Sequence, residues 1–363
     1  MKREKCMLKK FSNVKISAIA SASGKEQHDV AEICSSFLDE RHVKRLIKTL
    51  GFEKIRQIPL NMTTADMCVQ LSNDLLEELK VSKSSIDALI FVTQTNDSIA
   101  PASVFSMQNR IGLTSDCYLN NIINGCAGSM HGLLEGISLI SAGIASKVLV
   151  CFGDTYCKLH ELADADQKAN VALFGDGAGA ILLEKDTTAP DIFINYEAHG
   201  QFNQAIHDSK YSERLERLKI GVNEGTLEPS VLENYTQSGL HIDGTSIASY
   251  AIDYVVPNLL HLLEESGKSI LDIPVFMLHQ ANKTVLKSVA LTLGIDPGKI
   301  PFTADQTGNT SSAALALAIS ESDYVRQQIT RGHTVLSAFG VGMNVISVLA
   351  DLSKTRILTT RYF

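Results

Sequence analysis

The hydrophobic pattern along the chain switches between short apolar runs, typical of buried strands, and stretches with a period near 3.6, typical of helices. In the first half, this pattern predicts strands at residues 86–92, 118–123 and 147–153, with helices at 103–111 and from residue 126 onward. In the second half, it predicts strands at 275–280, 300–304 and 333–340, with helices at 283–294 and from residue 308 onward. Strands that alternate with helices in this way indicate an α/β fold.

The second half repeats the order of the first at a nearly constant offset of about 183 to 187 residues, which is the mark of an internal repeat. In this alignment Gly153 corresponds to Gly340, and Cys126 corresponds to Asn309. Both Cys126 and Asn309 then lie where a strand turns into a central helix. The repeat predicts two stacked α/β units with buried mixed sheets, whose related helix starts converge on one site.

The repeat also predicts where the chain divides. We expect one half at residues 1–186, which contains the cysteine of interest, and a second half at residues 187–363. Residues 186–243 fit the repeat poorly and include a charged stretch at 209–219. They are therefore expected to form a linker between the halves and a surface excursion.

Composition limits the class of protein. The chain has 363 residues, of which 45% are apolar, and a formal net charge of −7. These values fit a globular protein, and the acidic balance argues against nucleic-acid binding, which needs a basic face. The basic start runs into a segment broken by lysine and serines, so no signal peptide is expected. The most apolar window, at 133–152, carries Glu135 and Lys147, so no membrane span is expected.

The cysteines bear on location and cofactors. Seven cysteines at irregular spacing, with no CxxC pair, fit neither a disulfide framework nor a zinc site. We therefore expect a reducing, cytoplasmic environment and no metal or other cofactor. The glycine-rich stretch at 174–180 resembles a dinucleotide loop, but an apolar strand follows it where that motif needs a helix.

One cysteine, Cys126 in "NNIINGCAGSMHGLLEGI", differs from the other six in its setting. It lies at the predicted start of a helix, where unpaired amides and the macrodipole favour a thiolate, and small neighbours leave room for a substrate. Taken alone, Cys126 fits a small buried hydrophobe equally well, and the other cysteines are expected to be just that.

Two polar residues of the second half strengthen the case. His279 in "HQAN" follows an apolar strand and is a candidate acid, base or hydrogen-bond donor. Asn309 in "GNTSSAAL" would by default cap a helix. Together with Cys126, at repeat-related helix starts and strand ends, they predict one catalytic site.

Six motifs, in order along nearly the whole chain, resemble the β-ketoacyl-acyl carrier protein synthase III family of the thiolase fold. They are "GFEKIR", "NGCAGSMHGL", "LFGDGAGAILL", "LHQAN", "GNTSSAA" and "FGVGMNV". The resemblance implies an α/β, thiolase-like fold with two pseudo-symmetric βαβαβαββ halves stacked as α-β-α-β-α layers. It also implies a homodimer.

The resemblance implies a role for each site residue. Cys126 would accept the acyl primer as a thioester, and His279 and Asn309 would bind the thioester carbonyl of a malonyl-type extender on acyl carrier protein. The backbone amides of Cys126 and Val341 would form the oxyanion hole. Loss of carbon dioxide leaves an enolate, and two neutral donors aimed at its oxygen stabilise that charge.

The chain departs from the family where the primer donor binds. It has no tryptophan, whereas the family stacks the adenine of coenzyme A between a tryptophan and an arginine; Arg45 and Lys168 are the candidates in that region. Thr284 replaces the arginine that docks the carrier protein, and Lys283 and Lys287 lie nearby, although a solvated lysine face explains them equally well. Acyl-CoA and acyl carrier protein therefore both remain open as donors.

The acyl pocket departs as well. Ser129 replaces a phenylalanine, Val345 and Ile346 replace tryptophan and glycine, and Ala100 replaces a phenylalanine that reaches across the dimer. The resemblance then implies a medium-chain or branched primer and a specialised role in lipid, surface-glycan or secondary-metabolite synthesis. Alternatively, Ser129, Met343 or Ile346 refills the space.

Three functions follow from these observations. The first is a decarboxylating condensing enzyme, the second is an acyltransferase that forms an ester or amide without condensation, and the third is a non-catalytic partner subunit. Retention of the cysteine, histidine and asparagine argues against the third and, less strongly, against the second.

Overall fold

The computed structural model describes residues 7–98, 100–157, 168, 172–208 and 240–363. Its strands are β1 (Met7–Phe11), β2 (Val14–Ser23), β3 (Glu26–Asp29), β4 (Lys54–Gln57), β5 (Ala88–Val92), β6 (Tyr118–Ile122), β7 (Lys147–Asp154), β8 (Gly177–Lys185), β9 (Ile192–Ala198), β10 (Ile206–Asp208), β11 (Leu240–Ile242), β12 (Phe276–Leu278), β13 (His333–Gly340), β14 (Asn344–Asp351), β15 (Arg356–Ile357) and β16 (Arg361–Tyr362).

Its α-helices are α1 (Val30–Ser35), α2 (Glu40–Leu50), α3 (Thr64–Glu78), α4 (Ser103–Ile111), α5 (Gly128–Ser141), α6 (Gly244–Tyr250), α7 (Val256–Ser266), α8 (Lys283–Leu293), α9 (Ala314–Glu321) and α10 (Asp323–Ile329). A π-helical turn (Ala251–Val255) joins α6 to α7, and a 3-10 turn (Ser311–Ala313) leads into α9. None of the helices in the described ranges is long and apolar enough to cross a membrane.

Two sheets form the centre of the fold. The first has the order β15-β2-β8-β7-β5-β6, with β16 also paired to β2, and the second has the order β1-β9-β14-β13-β12. Strand β1, near the start of the chain, belongs to the second sheet, whereas β15 and β16, at the end of the chain, belong to the first. The two repeated halves therefore exchange strands at their ends.

Helices α5 and α9 lie between the two sheets. Apolar residues of α5, such as Leu133 and Ile137, share one buried cluster with strands of both sheets and with α9. Helix α5 approaches the first sheet closely because glycines line that face. A Cβ at Gly132 would stand 2.7 Å from a methyl group of Val150, so a larger residue would push helix and sheet apart.

The other long helices cover the outer faces. Helices α3 and α4 pack on the outer side of the first sheet, and α7 and α8 pack on the outer side of the second. The result is an α-β-α-β-α stack, which confirms the predicted fold class. The segment at 174–180 runs directly into β8, as expected for a stretch that is not a dinucleotide loop.

The strand predicted at 300–304 is wrong. The side chain of Gln280 supplies the hydrogen bonds that a neighbouring strand would make, because its Nε2 donates to the Pro301 carbonyl at 3.3 Å and its Oε1 accepts from the Thr303 amide at 2.8 Å. Pro301 also has no N–H to offer a sheet. The segment therefore has no regular structure.

The prediction of a linker at 186–243 is wrong in its first part. Residues 192–198 form β9, which pairs with β1 on one side and β14 on the other, and Asn195 within it is fully buried. The charged stretch at 209–219 lies outside the described residues.

Candidate active site

Cys126 lies in the turn between β6 and α5, two residues before the helix begins at Gly128. The predicted helix start at residue 126 is therefore early by two residues. The Gly128 amide donates to the Gly125 carbonyl at 2.6 Å and closes the turn. A Cβ at Gly125 would stand 2.3 Å from Gln94 Oε1 and 3.2 Å from Val341 Cγ2, so only glycine allows these neighbours to approach.

The turn from β13 to β14 lies directly against Cys126. A Cβ at Gly340 would stand 2.6 Å from the Cys126 Cβ and 3.2 Å from its sulfur. The backbone that leads into Val341 therefore lies within van der Waals reach of the thiol. This places the loop at 340–342 where an amide can face a group bound to the sulfur.

Asn309 lies beside the segment that precedes β8. Its amide donates to the Leu173 carbonyl at 2.9 Å, and its carbonyl accepts from the Gly175 amide at 3.1 Å. Its side-chain Oδ1 accepts from the Ser311 amide at 2.9 Å. This bond uses the oxygen end of the side-chain amide, so the nitrogen end, which can only donate, is the one available to a substrate oxygen.

Two serines after Asn309 connect this loop to Cys126. The Ser311 hydroxyl lies near the Cys126 thiol and the Asp154 carboxyl and partly offsets the rise in the pKa of each, although its oxygen has no hydrogen-bond partner among the described residues. Ser312 packs against the start of α5, since a Cβ at Gly128 would stand 3.6 Å from the Ser312 Cβ. The structure therefore brings the Asn309 loop to the cysteine, as the repeat predicts.

His279 follows β12, next to β13. Its amide donates to the Ser337 carbonyl at 2.8 Å, and its ring meets Phe339 edge-on, with the centroids 6.0 Å apart. Burial lowers the pKa of His279 to about 4, so the ring is neutral near pH 7. Its Nδ1 is enclosed without a hydrogen-bond partner among the described residues. A neutral, buried imidazole can act as a hydrogen-bond donor but carries no fixed charge.

The electrostatics at Cys126 differ from the expected thiolate. Burial of the thiol, and then the charge of Asp154, raise the pKa of Cys126 to about 12. Burial also raises the pKa of Asp154 to about 6, although the Gln94 amide bonds to it at 2.8 Å. Because Cys126 precedes the helix and faces a buried carboxyl, the thiol form prevails in the free protein.

Sequence reasoning missed Asp154, which is fully buried at the end of β7. Besides the Gln94 amide, it accepts hydrogen bonds from the hydroxyls of Thr93, at 3.2 Å, and Ser312, at 3.1 Å. It thus ties the ends of β5 and β7 to the Asn309 loop. The sequence does contain a signal for Asp154, because an acidic residue ends the apolar run of β7. Burial of a carboxyl group costs free energy unless the group has hydrogen-bond partners.

The predicted pocket residues do not share one surface. Ser129 is fully buried in the first turn of α5. Met343 packs on the outer side of the second sheet, whereas Ile346 packs on the side that faces the first sheet. Ala100 is exposed in the loop before α4.

Three of the four basic residues predicted to bind the carrier protein or coenzyme A lie on two helices that contact each other. Helix α2, which carries Arg45, contacts α8, which carries Lys283 and Lys287, and all three side chains are exposed. The contact is close, because the Thr284 hydroxyl donates to the Thr49 carbonyl. Lys168 is partly buried, and its carbonyl accepts from the Ala172 amide at 2.9 Å.

In the described part of the chain, no cluster of three histidine, cysteine or acidic residues could hold a metal ion.

Comparison with known proteins shows similarity to one enzyme family over most of the chain. Residues 121–200 match a family model described as 3-oxoacyl-[acyl-carrier-protein] synthase III, and residues 263–352 match a model described as the C-terminal part of that enzyme. A Streptococcus agalactiae protein named beta-ketoacyl-[acyl-carrier-protein] synthase III is 30% identical over 301 residues, which cover 82% of this chain and 88% of the relative.

Two further similarities extend over more of the chain. A Campylobacter jejuni protein named putative 3-oxoacyl-[acyl-carrier-protein] synthase 3 is 27% identical over 344 residues, covering 93% of this chain and 94% of the relative. The crystal structure of a 3-oxoacyl-(acyl-carrier protein) synthase from Burkholderia xenovorans matches 99% of both chains with a TM-score of 0.85 at 24% identity, which shows a common fold. The protein is therefore an acyltransferase, and it belongs to the 3-oxoacyl-[acyl-carrier-protein] synthase III family.

Proposed function

We propose that the protein joins an acyl primer, held as a thioester on Cys126, to a malonyl-type extender on an acyl carrier protein, and so forms a 3-oxoacyl thioester. The observation that carries this proposal is the meeting of three loops around one thiol. The Gly340 turn lies within van der Waals contact of Cys126, and the Asn309 loop packs through Ser312 against the start of the helix that follows Cys126. A cysteine that holds a covalent acyl intermediate needs hydrogen-bond donors to the oxyanion close to its sulfur, and this arrangement can provide them.

In the first half-reaction, the sulfur of Cys126 attacks the carbonyl carbon of the primer thioester. A carbon–sulfur bond forms, and the carbonyl oxygen becomes an oxyanion between the amides of Cys126 and Val341. The intermediate then expels the donor's sulfur, which leaves with the proton that Cys126 gave up. Because the pKa of Cys126 is about 12, this proton has to be removed during attack.

In the second half-reaction, the extender's thioester oxygen faces His279 and Asn309. Loss of carbon dioxide leaves an enolate, whose oxygen accepts hydrogen bonds from the neutral imidazole and from the amide nitrogen of Asn309. The enolate carbon attacks the thioester on Cys126, a carbon–carbon bond forms, and the sulfur of Cys126 leaves and regains a proton. The lowered pKa of His279 supports this role, because a neutral donor does not hold the carboxylate that must depart.

The carrier protein is expected to dock on α2 and α8. These two contacting helices present six exposed basic side chains on a chain whose net charge is −7: Arg41, Lys44, Arg45, Lys48, Lys283 and Lys287. A local basic face on an acidic protein attracts an acidic partner and favours its orientation. The relative from Streptococcus agalactiae is named for an acyl carrier protein, which supports the same partner here. The primer donor is either acyl-CoA or an acyl carrier protein.

The proposed assembly is a homodimer that forms along β6. Among the described strands of the first sheet, β6 is an edge and pairs with β5 alone. Tyr118 at its start is 45% exposed, Ile123 directly after it is 76% exposed, and Phe105 on α4 is 55% exposed. An apolar edge strand of this kind is normally covered, and a second copy would cover it symmetrically.

The primer is proposed to be larger than acetyl, and the product to enter specialised lipid, glycan or secondary-metabolite synthesis. The support is the loss of large side chains: the chain has no tryptophan, and Ala100 and Ser129 stand where the family has phenylalanine. The space that those rings would fill is available to additional substrate carbons.

Mass spectrometry of the intact protein tests the first half-reaction. The protein is incubated with a panel of acyl-CoA and acyl carrier protein thioesters, and one acyl adduct is expected on Cys126. Cys126→Ser should form no such thioester, whereas Cys117→Ser, a control at a cysteine 7% exposed in another part of the fold, should load like the parent.

Release of labelled carbon dioxide tests the second half-reaction. A malonyl carrier protein labelled in its free carboxyl group should lose label only when the protein carries an acyl primer. Acyl loading with ester or amide formation and without label release would instead establish the acyltransferase. Absence of both loading and release with every donor would leave the non-catalytic subunit as the explanation.

A further inference from the structure

A relay of two side chains connects α5 to the turn that carries Val341. His131 lies on α5, five residues after Cys126, and its Nε2 is 3.0 Å from Asn344 Oδ1. Asn344 begins β14, and its Nδ2 donates to the Val341 carbonyl at 2.7 Å. The helix that follows the nucleophile is thus linked to the loop opposite it, across 213 positions of sequence.

The direction of each hydrogen bond in the relay is fixed. A carbonyl oxygen only accepts, so the Val341 carbonyl requires the nitrogen end of the Asn344 amide. The oxygen end then faces His131, and the ring must donate from Nε2. His131 is therefore the tautomer with its proton on Nε2.

The surroundings hold both side chains in place. Asn344 is buried, and its Nδ2 lies against Gly342, where an added Cβ would stand 3.2 Å away. The His131 ring meets Tyr196 edge-on with the centroids 5.2 Å apart. Burial lowers the pKa of His131, which keeps the ring neutral near pH 7. A protonated ring would still donate from Nε2, so the relay itself does not depend on pH.

The amide and the carbonyl of Val341 belong to the two peptide groups on either side of its Cα, so holding one restricts the other. The peptide before Val341 is pressed against Cys126 through Gly340, and the carbonyl after it is held by Asn344. Without the relay, Val341 could rotate between these points, and its amide would lose a fixed direction. A displacement of about 1 Å in such a donor costs about 10²-fold in rate.

We infer that His131 and Asn344 are positioning residues that aim the Val341 amide at the oxyanion formed on Cys126. This inference rests on the proposed function in taking Cys126 as the acyl acceptor and the Val341 amide as a donor to its oxyanion. In the loading step, the Cys126 sulfur bonds to the primer carbonyl carbon, the oxyanion accepts from the aimed amide, and the donor thiol leaves with the proton. Decarboxylation of the extender occurs at His279 and Asn309 and does not use this amide.

The relay therefore predicts a selective defect. We expect His131→Phe, which keeps an aromatic ring against Tyr196 but cannot donate, to lower the maximal rate of octanoyl loading from octanoyl-CoA or octanoyl carrier protein by about 10- to 100-fold, with KM within about threefold. We expect His131→Gln, which restores a donor, to load within about threefold of the parent. Carbon dioxide release in a single turnover, started by adding labelled malonyl carrier protein after octanoyl loading is complete, should be unchanged by either substitution.

Other results would overturn the inference. It fails when His131→Gln is as slow as His131→Phe, or when His131→Phe slows carbon dioxide release as much as loading, because a general packing defect behaves in this way. Asn344→Asp, which loses the donor to Val341, provides a second variant and should slow loading at least as much as His131→Phe.

A measurement without turnover separates this inference from the proposed function. In protein labelled with ¹⁵N-histidine, NMR should show His131 neutral and protonated on Nε2. A proton on Nδ1 alone would overturn the relay even in a fully active enzyme. A correct tautomer in a parent protein that loads no thioester would overturn both the proposed function and the aiming of Val341.

Discussion

Gly340 and Cys126 are in backbone-to-side-chain contact: a Cβ at Gly340 would lie 2.6 Å from the Cβ of Cys126. The two residues come from opposite halves of the chain. Gly340 ends strand β13, and Cys126 lies in the turn before α5. Their contact fixes the distance between the nucleophile and the loop of Val341. The presence of glycine at 340 is thus a requirement of the site as well as of the turn.

Substitution of this glycine tests the contact. Gly340→Ala should lower the rate of acyl loading by about 10²-fold or more, because a contact of 2.6 Å forces either the thiol or the Val341 loop to move. The measurement is the loading rate by intact-mass spectrometry, with thermal unfolding recorded alongside. Gly244→Ala is the matched control, since an added Cβ there meets nothing within 4 Å, and it should load like the parent. Parent-like loading by Gly340→Ala would show that the loop moves freely relative to Cys126.

Asp154 should control the reactivity of Cys126. Its ionised carboxylate helps to raise the pKa of the thiol to about 12, and the carboxyl itself has a pKa of about 6. Asp154→Asn removes this negative charge, so the thiol pKa should fall, and alkylation of Cys126 by iodoacetamide at pH 8 should become about tenfold faster.

The sign of the pH dependence follows from the two pKa values. Below about pH 6 the parent's Asp154 is protonated and neutral, so parent and variant should react alike; above that pH the parent should be slower. Asp176→Asn serves as a control, because Asp176 is equally buried but bonds to the Cys157 and Ile58 amides, away from Cys126. Equal alkylation rates for the parent and Asp154→Asn at pH 8 would refute the electrostatic influence of Asp154.

His279 and Asn309 should separate the half-reactions. His279→Ala and Asn309→Ala each remove one donor to the enolate, so release of labelled carbon dioxide should fall by about 10²-fold or more. Acyl loading at Cys126 should persist at least in part, because its oxyanion is held by backbone amides. Gln280→Ala is a useful comparison, since Gln280 lies next to His279 but bonds to the 301–303 segment. Loss of loading together with release in both variants would assign the pair to a different step.

Much of the fold could be predicted because it depends on local pattern. The helix at 103–111 and the strand at 333–340 have the predicted bounds, since continuous apolar runs and helical periodicity act over a few residues. The repeat predicts that Cys126 and Asn309 lie at related helix starts, so it turns local elements into an expectation about their position in space. The default expectation that Asn309 caps a helix is wrong, because Thr310 is the N-cap of the 3-10 turn, and the Asn309 oxygen instead accepts from the Ser311 amide before that turn.

The rest depends on contacts between distant residues. The segment at 300–304 looks like a strand in sequence, yet the Gln280 side chain takes its hydrogen bonds. The repeat does not match the sequence of strand β9 and therefore predicts a linker there, although pairing with β1 and β14 places the strand in the core. The contacts of Asp154 and the hydrogen bond between His131 and Asn344 depend on which side chains face one another in the fold. A single sequence does not contain that information.

The last prediction concerns the length of the primer and depends on Ala100. This residue is exposed in the loop before α4, at a position where the resemblance implies a phenylalanine that reaches across a dimer to the partner's pocket. Replacing a ring by a methyl group leaves space for substrate carbons, and each buried methylene contributes about 0.8 kcal/mol. Two or three extra carbons would then change the preference by about one to two orders of magnitude. The parent should therefore load a medium-chain or branched primer in preference to acetyl.

Ala100→Phe should reverse this preference by restoring the ring. The measurement is the loading rate against acyl chain length for parent and variant, with sedimentation used to establish that both are dimers. Ala102→Phe, two residues further along and partly buried at the start of α4, is the control for a ring added near the same loop. If acetyl is already the best primer of the parent, or if Ala100→Phe leaves the chain-length profile unchanged, Ala100 does not shape the pocket. A monomeric parent that still prefers long primers would show that the pocket wall comes from the same chain, with Ser129 the nearest candidate because it lies fully buried three residues after Cys126.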